Sequence, residues 1–360
     1  MGLSPKTSKL ITLLESKIFF NDAGGIYAWI DGQTKKASFQ YSEISGYFLS
    51  LTSFLKEHDK ISKDSIIFRQ ASQTVEWLLN MRIENQISFI DRITEDEEGK
   101  VTYFFDDFII SNGLLNFSIV SSNQELKELA LNLIDNQFQY WKSSTSFNSM
   151  KDLGGIVLDH QESWSTVFGP HHLKFLVPLI NAFKISKDKK FLSHANELIE
   201  KTFNSFLKDS VLYSQENSIH IHSLLYALEG LCSYSQEIRD EKIISIISAN
   251  FSMIQEYSKD HLIPRFIINN KANLNERMDV YFQFLRLDII LTSLNISKTK
   301  SNHKTLLSHC ENFFKENHFV FGKESNGTPI SDNTSWINFI ALQYYVLSET
   351  KTPYSLSNLI

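Results

Sequence analysis

The sequence predicts an all-α protein built as an (α/α)6 toroid, and three observations support this fold class. Helical periodicity runs through most of the 360 residues. The helical segments form pairs, in which one member is amphipathic and the other is apolar on nearly every side. The apolar members begin roughly 50 to 65 residues apart, which is an internal repeat. A helix that is apolar all round must be buried on every side, so six of them fit an inner ring wrapped by amphipathic helices.

Six segments are predicted as inner helices because they carry few polar residues beyond their first turn. In chain order they are YSEISGYFLSLTSFL (41–55), DDFIISNGLLNFSIV (106–120), PHHLKFLVPLINAF (170–183), SIHIHSLLYALEGL (218–231), ERMDVYFQFLRLDIILTSL (276–294) and TSWINFIALQYYVLS (334–348). Segments such as 123–141 and 189–207 have one charged face and are predicted as outer helices.

Three local features modify this helical pattern. Two β-prone runs flank the acidic turn EDEEG, so 87–105 is predicted to be an exposed β-hairpin. Pro178 is expected to kink the third inner helix, because proline removes one backbone hydrogen bond. Gly46, Gly113 and Gly230 are expected where neighbouring helices approach closely.

The whole chain, 1–360, is predicted to form this one toroid. An open solenoid of helical hairpins is the alternative, but the usual solenoid repeats run about 34 to 47 residues and leave each helix one solvated face. These units are longer, and the predicted inner helices have no such face. We therefore expect a closed ring.

Composition and charge exclude several function classes. The net charge of −6 and the pI near 6.0 leave no basic surplus for binding nucleic acid. The chain begins without an apolar run long enough for a signal peptide or a membrane span. Two unclustered cysteines, Cys232 and Cys310, indicate a reducing compartment and offer no metal-binding set. We expect a cytoplasmic protein without a metal or other cofactor.

If the inner helices run parallel, their N-termini all open at one end of the ring. That end then gathers aromatic groups, which can stack on sugar rings, and polar groups, which can bind sugar hydroxyls. In chain order the candidates are Tyr27 and Trp29 in a loop, Tyr41, Glu43 and Tyr47, Asp106 and Asp107, His171 and His172, His220 and His222, Arg277, Asp279, Gln283 and Arg286, and finally Asn333, Ser335 and Trp336.

Each candidate also has a structural interpretation. Asp106 and Asp107 are typical helix N-caps. His220 and His222 are two residues apart, so at most one of them can face the cavity from a regular helix. A histidine on an apolar helix is more often a packed residue than a catalyst.

The fifth inner helix carries four large polar groups, which are costly to bury unless they are paired or hydrated. They could clamp a substrate or form an ion-pair network across the ring. Glu229, in the middle of the fourth helix, is predicted to need a partner if it is buried, and Arg286 is the candidate.

Six segments together resemble a family of α/α-toroid proteins from bacterial surface-polysaccharide gene clusters, related to the six-hairpin glycosidases. The segments are GGIYAWID (24–31), YSEISGYFL (41–49), FDDFIISNGLL (105–115), HIHSLLYALEGL (220–231), ERMDVYFQFLRL (276–287) and TSWINFIALQ (334–343). The family is similar in architecture to N-acylglucosamine 2-epimerases and to the helical part of glucuronyl C5-epimerases. The resemblance implies a cytoplasmic protein that handles carbohydrate in surface-glycan assembly or modification.

The 2-epimerases to which this family is similar use histidines at the barrel mouth to remove and return a proton. This sequence has His172, His220 and His222 near such positions, although it lacks those enzymes' full pattern. An epimerase or lyase would use His220 or His222 as the base. Arg277 or Arg286 would then hold a carboxylate or stabilise an enolate.

A glycoside hydrolase would use two carboxylates, with Glu43 paired with Asp107 or Asp279. In either case the expected substrate is a saccharide, a nucleotide sugar or a polysaccharide, bound also by Tyr27, Trp29, Tyr41, Tyr47, His172, Gln283 and Trp336. The alternative is a non-catalytic glycan-binding or scaffold protein that contacts other polysaccharide-assembly proteins.

Overall fold

The computed structural model describes residues 3–83, 88–90, 92–93, 101–143, 150–152, 157–158, 167–296, 303–323, 327–350 and 355–360. Twelve α-helices lie within these ranges. They are α1 (Pro5–Glu15), α2 (Ser42–Glu57), α3 (Ile66–Asn80), α4 (Phe104–Ser121), α5 (Gln124–Ser143), α6 (Leu176–Ser186), α7 (Lys189–Phe206), α8 (Ile221–Glu237), α9 (Glu241–Tyr257), α10 (Met278–Ser293), α11 (His303–Glu311) and α12 (Ser335–Glu349).

The even-numbered helices form a closed inner ring. Each packs against the next even-numbered helix, and α12 packs against α2 to close the circle. The odd-numbered helices lie outside: α3, α5, α7, α9 and α11 each pack on an inner neighbour, and α1 packs on α12. This arrangement confirms the predicted all-α (α/α)6 toroid.

Burial follows the two sequence patterns. All residues of α4 from Phe104 to Ser118 are buried, as expected for a helix with neighbours on every side. In α7 the buried positions recur every three or four residues, at Phe191, His194, Ala195, Leu198, Ile199 and Thr202. The pattern of α7 gives one core-facing stripe and one wet face, which defines an outer helix.

Three glycines in the inner helices allow the close approach expected of them. A Cβ atom on Gly113 would lie 2.2 Å from the carbonyl oxygen of Gly46, and one on Gly230 would lie 1.8 Å from that of Leu173. These positions therefore admit no side chain without moving a neighbouring backbone.

The third inner helix begins differently from the others. Residues Pro170–Phe175 form a 3-10 helix, and α6 starts only at Leu176. Pro178 cannot donate to the carbonyl of Lys174, and its ring would crowd that carbonyl in an α-helix. The structure therefore places Pro178 in the first turn of α6, and the expected kink takes the form of a switch from 3-10 to α geometry.

Short strands occupy the connections between helices. They are β1 (Trp29–Ile30), β2 (Gln40–Tyr41), β3 (Arg92–Ile93), β4 (Val101–Tyr103), β5 (Met150–Asp152), β6 (Val157–Leu158), β7 (Leu207–Lys208), β8 (Val211–Leu212), β9 (Ser218–His220), β10 (Ile263–Ile268), β11 (Lys271–Arg277), β12 (Phe314–Lys315), β13 (His318–Phe319), β14 (Gly322–Lys323), β15 (Pro329–Ile330) and β16 (Asn333–Thr334). The largest sheet, in the order β15-β14-β11-β10-β9, leads into α8 and α10.

The predicted hairpin over 87–105 is wrong in its pairing. Strands β3 and β4 do form in this segment, but β3 pairs with β2 and β4 pairs with β5. The acidic turn between them lies outside the described residues. Over the described ranges, no helix is both long and apolar enough to cross a membrane.

Candidate active site

A cavity of about 480 Å³ opens at the N-terminal ends of the inner helices. All six inner segments contribute a residue from their first turn, which confirms that their N-termini share one end of the ring. These residues are Glu43, Asp106, His171, His222, Asp279 and Trp336. The remaining lining residues are Ala28, Trp29, Phe39, Tyr41, Ile44, Tyr47, Tyr103, Phe105, Tyr226, Arg277, Phe321 and Thr334.

Aromatic rings form one wall and the bottom of this cavity. The ring centres of Tyr47 and Trp336 are 4.4 Å apart, and that of Phe105 is 5.1 Å from the ring of Tyr226. The phenol oxygens of Tyr47 and Tyr226 are 3.3 Å apart. Burial, together with nearby negative charges, raises the pKa of both tyrosines well above 10.0. Both therefore present neutral hydroxyl groups at pH 7.

His222 is the cavity histidine on α8. Its ring packs edge-on against Tyr226, with ring centres 4.6 Å apart. Burial lowers the pKa of His222 to about 4; Asp279 opposes this shift and Arg277 adds to it. The side chain is therefore a neutral imidazole at pH 7, able to accept a proton.

Arg277 and Asp279 form an ion pair beside His222. The Arg277 guanidinium donates to both carboxylate oxygens of Asp279, over 3.2 Å from Nε and 2.5 Å from Nη2. Burial alone would raise the pKa of Asp279, but the charge of Arg277, the neighbouring His222 and the hydrogen bonds to the carboxylate together hold that pKa below its usual value. Asp279 therefore stays ionised, and its negative charge favours protonation of His222.

His171 lines the part of the wall that the third inner segment forms. Its ring lies 4.1 Å from that of His172 and 5.7 Å from that of Phe105, measured between centres. Burial and the neighbouring histidines lower the pKa of His171 well below 6.5, so it is also neutral at pH 7. His171 also lines a second cavity of about 180 Å³ that contains His220 and Phe266.

Four predicted site residues lie elsewhere, and each has a structural role. His220 precedes α8 and its Nδ1 accepts the backbone N–H of Ser223, so it caps that helix. His172 is fully buried, with Nδ1 against the backbone of Gly169. Asp107 accepts hydrogen bonds from the Ser88 hydroxyl and the Phe89 N–H. Tyr27 is partly buried and packs on the hydrophobic core.

Two predicted substrate-binding residues of α10 lie beneath the cavity. Gln283 is fully buried and adjoins His222. Arg286 is also fully buried, and its Nη2 donates to Glu229 as predicted, while Nη1 donates to Gln343. A buried, paired guanidinium cannot reach a ligand in the cavity.

Lys174 completes this buried ionic centre, which consists of Lys174, Glu229 and Arg286. Its ammonium nitrogen lies 2.7 Å from Glu229 Oε2, and both side chains are fully buried. Burial lowers the pKa of Lys174 to about 8, although Glu229 opposes that shift. Burial would likewise raise the pKa of Glu229, but the charges of Arg286 and Lys174 lower it on balance. The centre is held together by charges that no solvent screens.

Sequence reasoning left several lining residues out of the proposed site. Tyr226 follows His222 by four residues, about one helical turn, so the spacing alone predicts that both side chains lie on the same face of α8. Phe39, Tyr103 and Phe321 come from connections between helices, where no periodic pattern indicates orientation.

Comparison with known proteins supports the fold. No family model and no curated protein matches this sequence. Among solved structures, a sugar epimerase from a ruminal bacterium superposes with a TM-score of 0.78 at 10% identity, covering 96% of this chain and 97% of the other. Cellobiose 2-epimerase from Bacillus thermoamylovorans B4167 gives 0.76 at 13% identity, with 96% and 98% covered. An unsaturated glucuronyl hydrolase specific for heparin gives 0.69 at 12% identity, with 96% of each chain covered. This chain shares their toroid fold over nearly its whole length.

Proposed function

We propose that this chain is a sugar-acting enzyme that removes and returns a proton on a carbon of a saccharide bound in the mouth cavity. The observation that carries the proposal is His222, a neutral imidazole set among rings that can stack on a sugar. The neutral imidazole is the form that a general base needs, and the charge of Asp279 favours the protonated form that develops when a proton is removed from carbon.

The surrounding groups suit the charges that such a step creates. His222 takes the proton from a carbon next to a carbonyl group, and the electron pair moves onto the carbonyl oxygen. The neutral hydroxyls of Tyr226 and Tyr47 can donate hydrogen bonds to that oxygen. The resulting imidazolium is stabilised by Asp279, whose negative charge already raises the pKa of His222. The His222 imidazolium then returns the proton to a carbon of the intermediate as the electron pair moves back from the oxygen.

The fold is compatible with this chemistry. Two of the structures that it resembles are a sugar epimerase and a cellobiose 2-epimerase. In this proposal Arg277 is a positioning residue, because its ion pair with Asp279 fixes the carboxylate beside His222. The remaining lining residues Trp29, Tyr41 and Trp336 would stack on the sugar or bind its hydroxyls.

Glycoside hydrolysis is the second candidate, favoured by three carboxylates in the cavity wall. Glu43, Asp106 and Asp279 come from three different inner helices and line the same space. Hydrolysis needs one carboxyl group as acid and another as base or nucleophile. In this second candidate Asp106, rather than the Asp107 predicted from the sequence, is the catalytic carboxylate paired with Glu43. The fold is also that of an unsaturated glucuronyl hydrolase.

The test begins with a thermal-shift screen against neutral disaccharides, uronate oligosaccharides and nucleotide sugars, since ligand binding raises the melting temperature. Each saccharide that binds is then incubated in deuterated water. Carbon-bound deuterium supports proton transfer, a new reducing end supports hydrolysis, and binding without either product supports a glycan-binding protein.

Matched variants separate the two mechanisms. His222→Gln should abolish deuterium incorporation, whereas Asp106→Asn should abolish hydrolysis. If His222→Gln retains full deuterium incorporation, His222 is not the base.

We also propose that the saccharide belongs to a bacterial surface polysaccharide and that the chain acts in the cytoplasm beside other polysaccharide-assembly proteins. The support is the resemblance of the six sequence segments described above. Deleting the gene should alter the sugar composition of the surface glycan, measured after hydrolysis, and an unchanged glycan would argue against this role.

A further inference from the structure

The end of the ring opposite the cavity is filled by residues 355–360, which we call the terminal segment. Residues Leu356–Asn358 form a 3-10 helix, and the side chains of Leu356, Leu359 and Ile360 are buried. The terminal segment meets the C-terminal halves of the inner helices rather than the outer surface. It packs against α2, α4, α6 and α8.

The ring recognises the backbone of the terminal segment as well as its side chains. The amide groups of Asn112 and Asn116 donate to the carbonyl of Ser357 over 3.0 and 2.9 Å. Gln343 donates to the carbonyl of Asn358 over 2.7 Å. The side chain of Asn358 donates to Glu57 over 2.6 Å. Hydrogen bonds to successive peptide groups are what a peptide-binding site provides.

The last contact joins the terminal segment to the ionic centre. The backbone oxygen of Ile360 accepts from Lys174 over 3.2 Å and from Arg286. Two cations face one carboxylate in this centre, and Gln343 accepts from Arg286 alone, so the Ile360 oxygen is a further acceptor that both cations share. Buried cations depend strongly on such acceptors.

The same lysine links the base of the ring to the floor of the cavity. The ammonium of Lys174 lies 5.5 Å from the centre of the Tyr226 ring. Tyr226 and Tyr47, whose phenol oxygens are 3.3 Å apart, line the cavity above. One residue, Lys174, therefore separates the terminal segment from the cavity floor.

We propose that the base of the ring is a peptide-binding site whose ligand is the terminal segment, and that its occupation positions the cavity floor. Without Ile360, Lys174 and Arg286 lose a shared acceptor, and the lysine, which then keeps only Glu229 as its partner, can shift relative to Tyr226. The floor then loses the support that holds its two tyrosines together. This inference does not depend on which reaction the cavity performs.

The first experiment removes the terminal segment and returns it as a free peptide. A chain ending at residue 354 should melt about 5 °C or more below the full chain, since it loses three buried side chains and several hydrogen bonds. The hexapeptide SLSNLI at 1 mM should restore at least half of that loss, and a peptide of the same residues in reversed order should not. Failure of SLSNLI to raise the melting temperature of the folded, shortened chain overturns the proposal.

Hydrogen exchange then tests the link to the floor. Loss of the terminal segment should raise exchange in the first half of α8, around Tyr226, at least tenfold, and leave the outer helix α9 unchanged. The peptide should reverse this change. Unchanged exchange around Tyr226 would show that the terminal segment only stabilises the base, and the positioning role would be rejected.

A full-length variant decides the question if the shortened chain does not fold. Leu359→Ser weakens a buried contact of the terminal segment, whereas Leu79→Ser, at an exposed leucine of the outer helix α3, is the matched control. Leu359→Ser should raise exchange in both the terminal segment and the first half of α8. Faster exchange confined to the terminal segment would overturn the proposal.

Discussion

Replacing Glu229 by glutamine tests the buried ionic centre directly. The substitution keeps the size of the side chain and removes its charge, so Lys174 and Arg286 are left as buried cations with no carboxylate between them. Removing one partner of a buried ion pair costs about 3 to 5 kcal/mol, because the remaining charge is no longer compensated. Here two cations depend on the same carboxylate, so we expect a loss toward the upper end of that range.

The expected change in melting temperature follows from the size of the chain. An unfolding entropy of about 2.1 cal/mol/K per residue makes each kcal/mol worth roughly 1.3 °C for 360 residues. Glu229→Gln should therefore lower the melting temperature by about 4 to 7 °C, measured by calorimetry at pH 7. Glu237→Gln is the control, because Glu237 lies on the same helix but is exposed. A melting temperature of Glu229→Gln within 1 °C of this control would refute the reasoning.

Three further predictions address other parts of the molecule. Burial lowers the pKa of His172 and His220 to about 3 and that of His222 to about 4. Below about pH 6.5 the unfolded chain therefore takes up protons that these buried histidines do not, which opposes folding. In urea titrations at acid pH, each histidine should lower the free energy of unfolding by up to about 1.4 kcal/mol per pH unit, and the His172→Gln variant should lose less than the original chain. Gly113→Ala should destabilise the chain by about 3 kcal/mol in urea titrations, because its Cβ would meet the Gly46 carbonyl, whereas Ser121→Ala should cost under 1 kcal/mol. The thiols of Cys232 and Cys310 are both fully buried and should resist a thiol reagent in the native state. If residues 1–360 unfold as one unit, both thiols should become reactive at the same urea concentration. Two different urea midpoints for the two thiols would contradict the single toroid domain.

The ring could be predicted from the sequence because the burial of each helix determines how its apolar and polar residues are distributed. A helix such as α4 is apolar on every side only if it has neighbours on every side, and α7 shows one stripe because it has a core on one side. The pairing of the β-strands is less evident from the sequence. The composition of 87–105 indicated strands β3 and β4, but their partners β2 and β5 lie about 50 residues away in sequence, where no turn signal can point to them.

The site was harder to predict because it depends on which residue of a neighbouring pair faces inward. Asp106 lines the cavity while Asp107 binds a connecting segment, and His171 lines it while His172 packs beneath. On an amphipathic helix the polar face reveals the orientation. On an inner helix every face is apolar, so a shift of one residue, which turns a side chain by about 100°, leaves no trace in the pattern.

Helix α8 shows how one face serves three purposes. His222, Tyr226 and Glu229 follow each other at intervals of four and three residues, which places them on a single stripe facing the centre of the ring. From mouth to base the stripe presents an imidazole in the cavity, a phenol at its floor and a carboxylate in the ionic centre.

The three levels of this stripe are also electrostatically connected. Glu229 and Asp279 both raise the pKa of His222, which burial and Arg277 lower. The two cations that neutralise Glu229 are fully buried in the base, so they stabilise the fold and offer no clamp to an anionic group above. Proton transfer in the cavity therefore has to use the groups at the helix N-termini. The ionic centre can affect it only through the charge of Glu229 and the position of Tyr226.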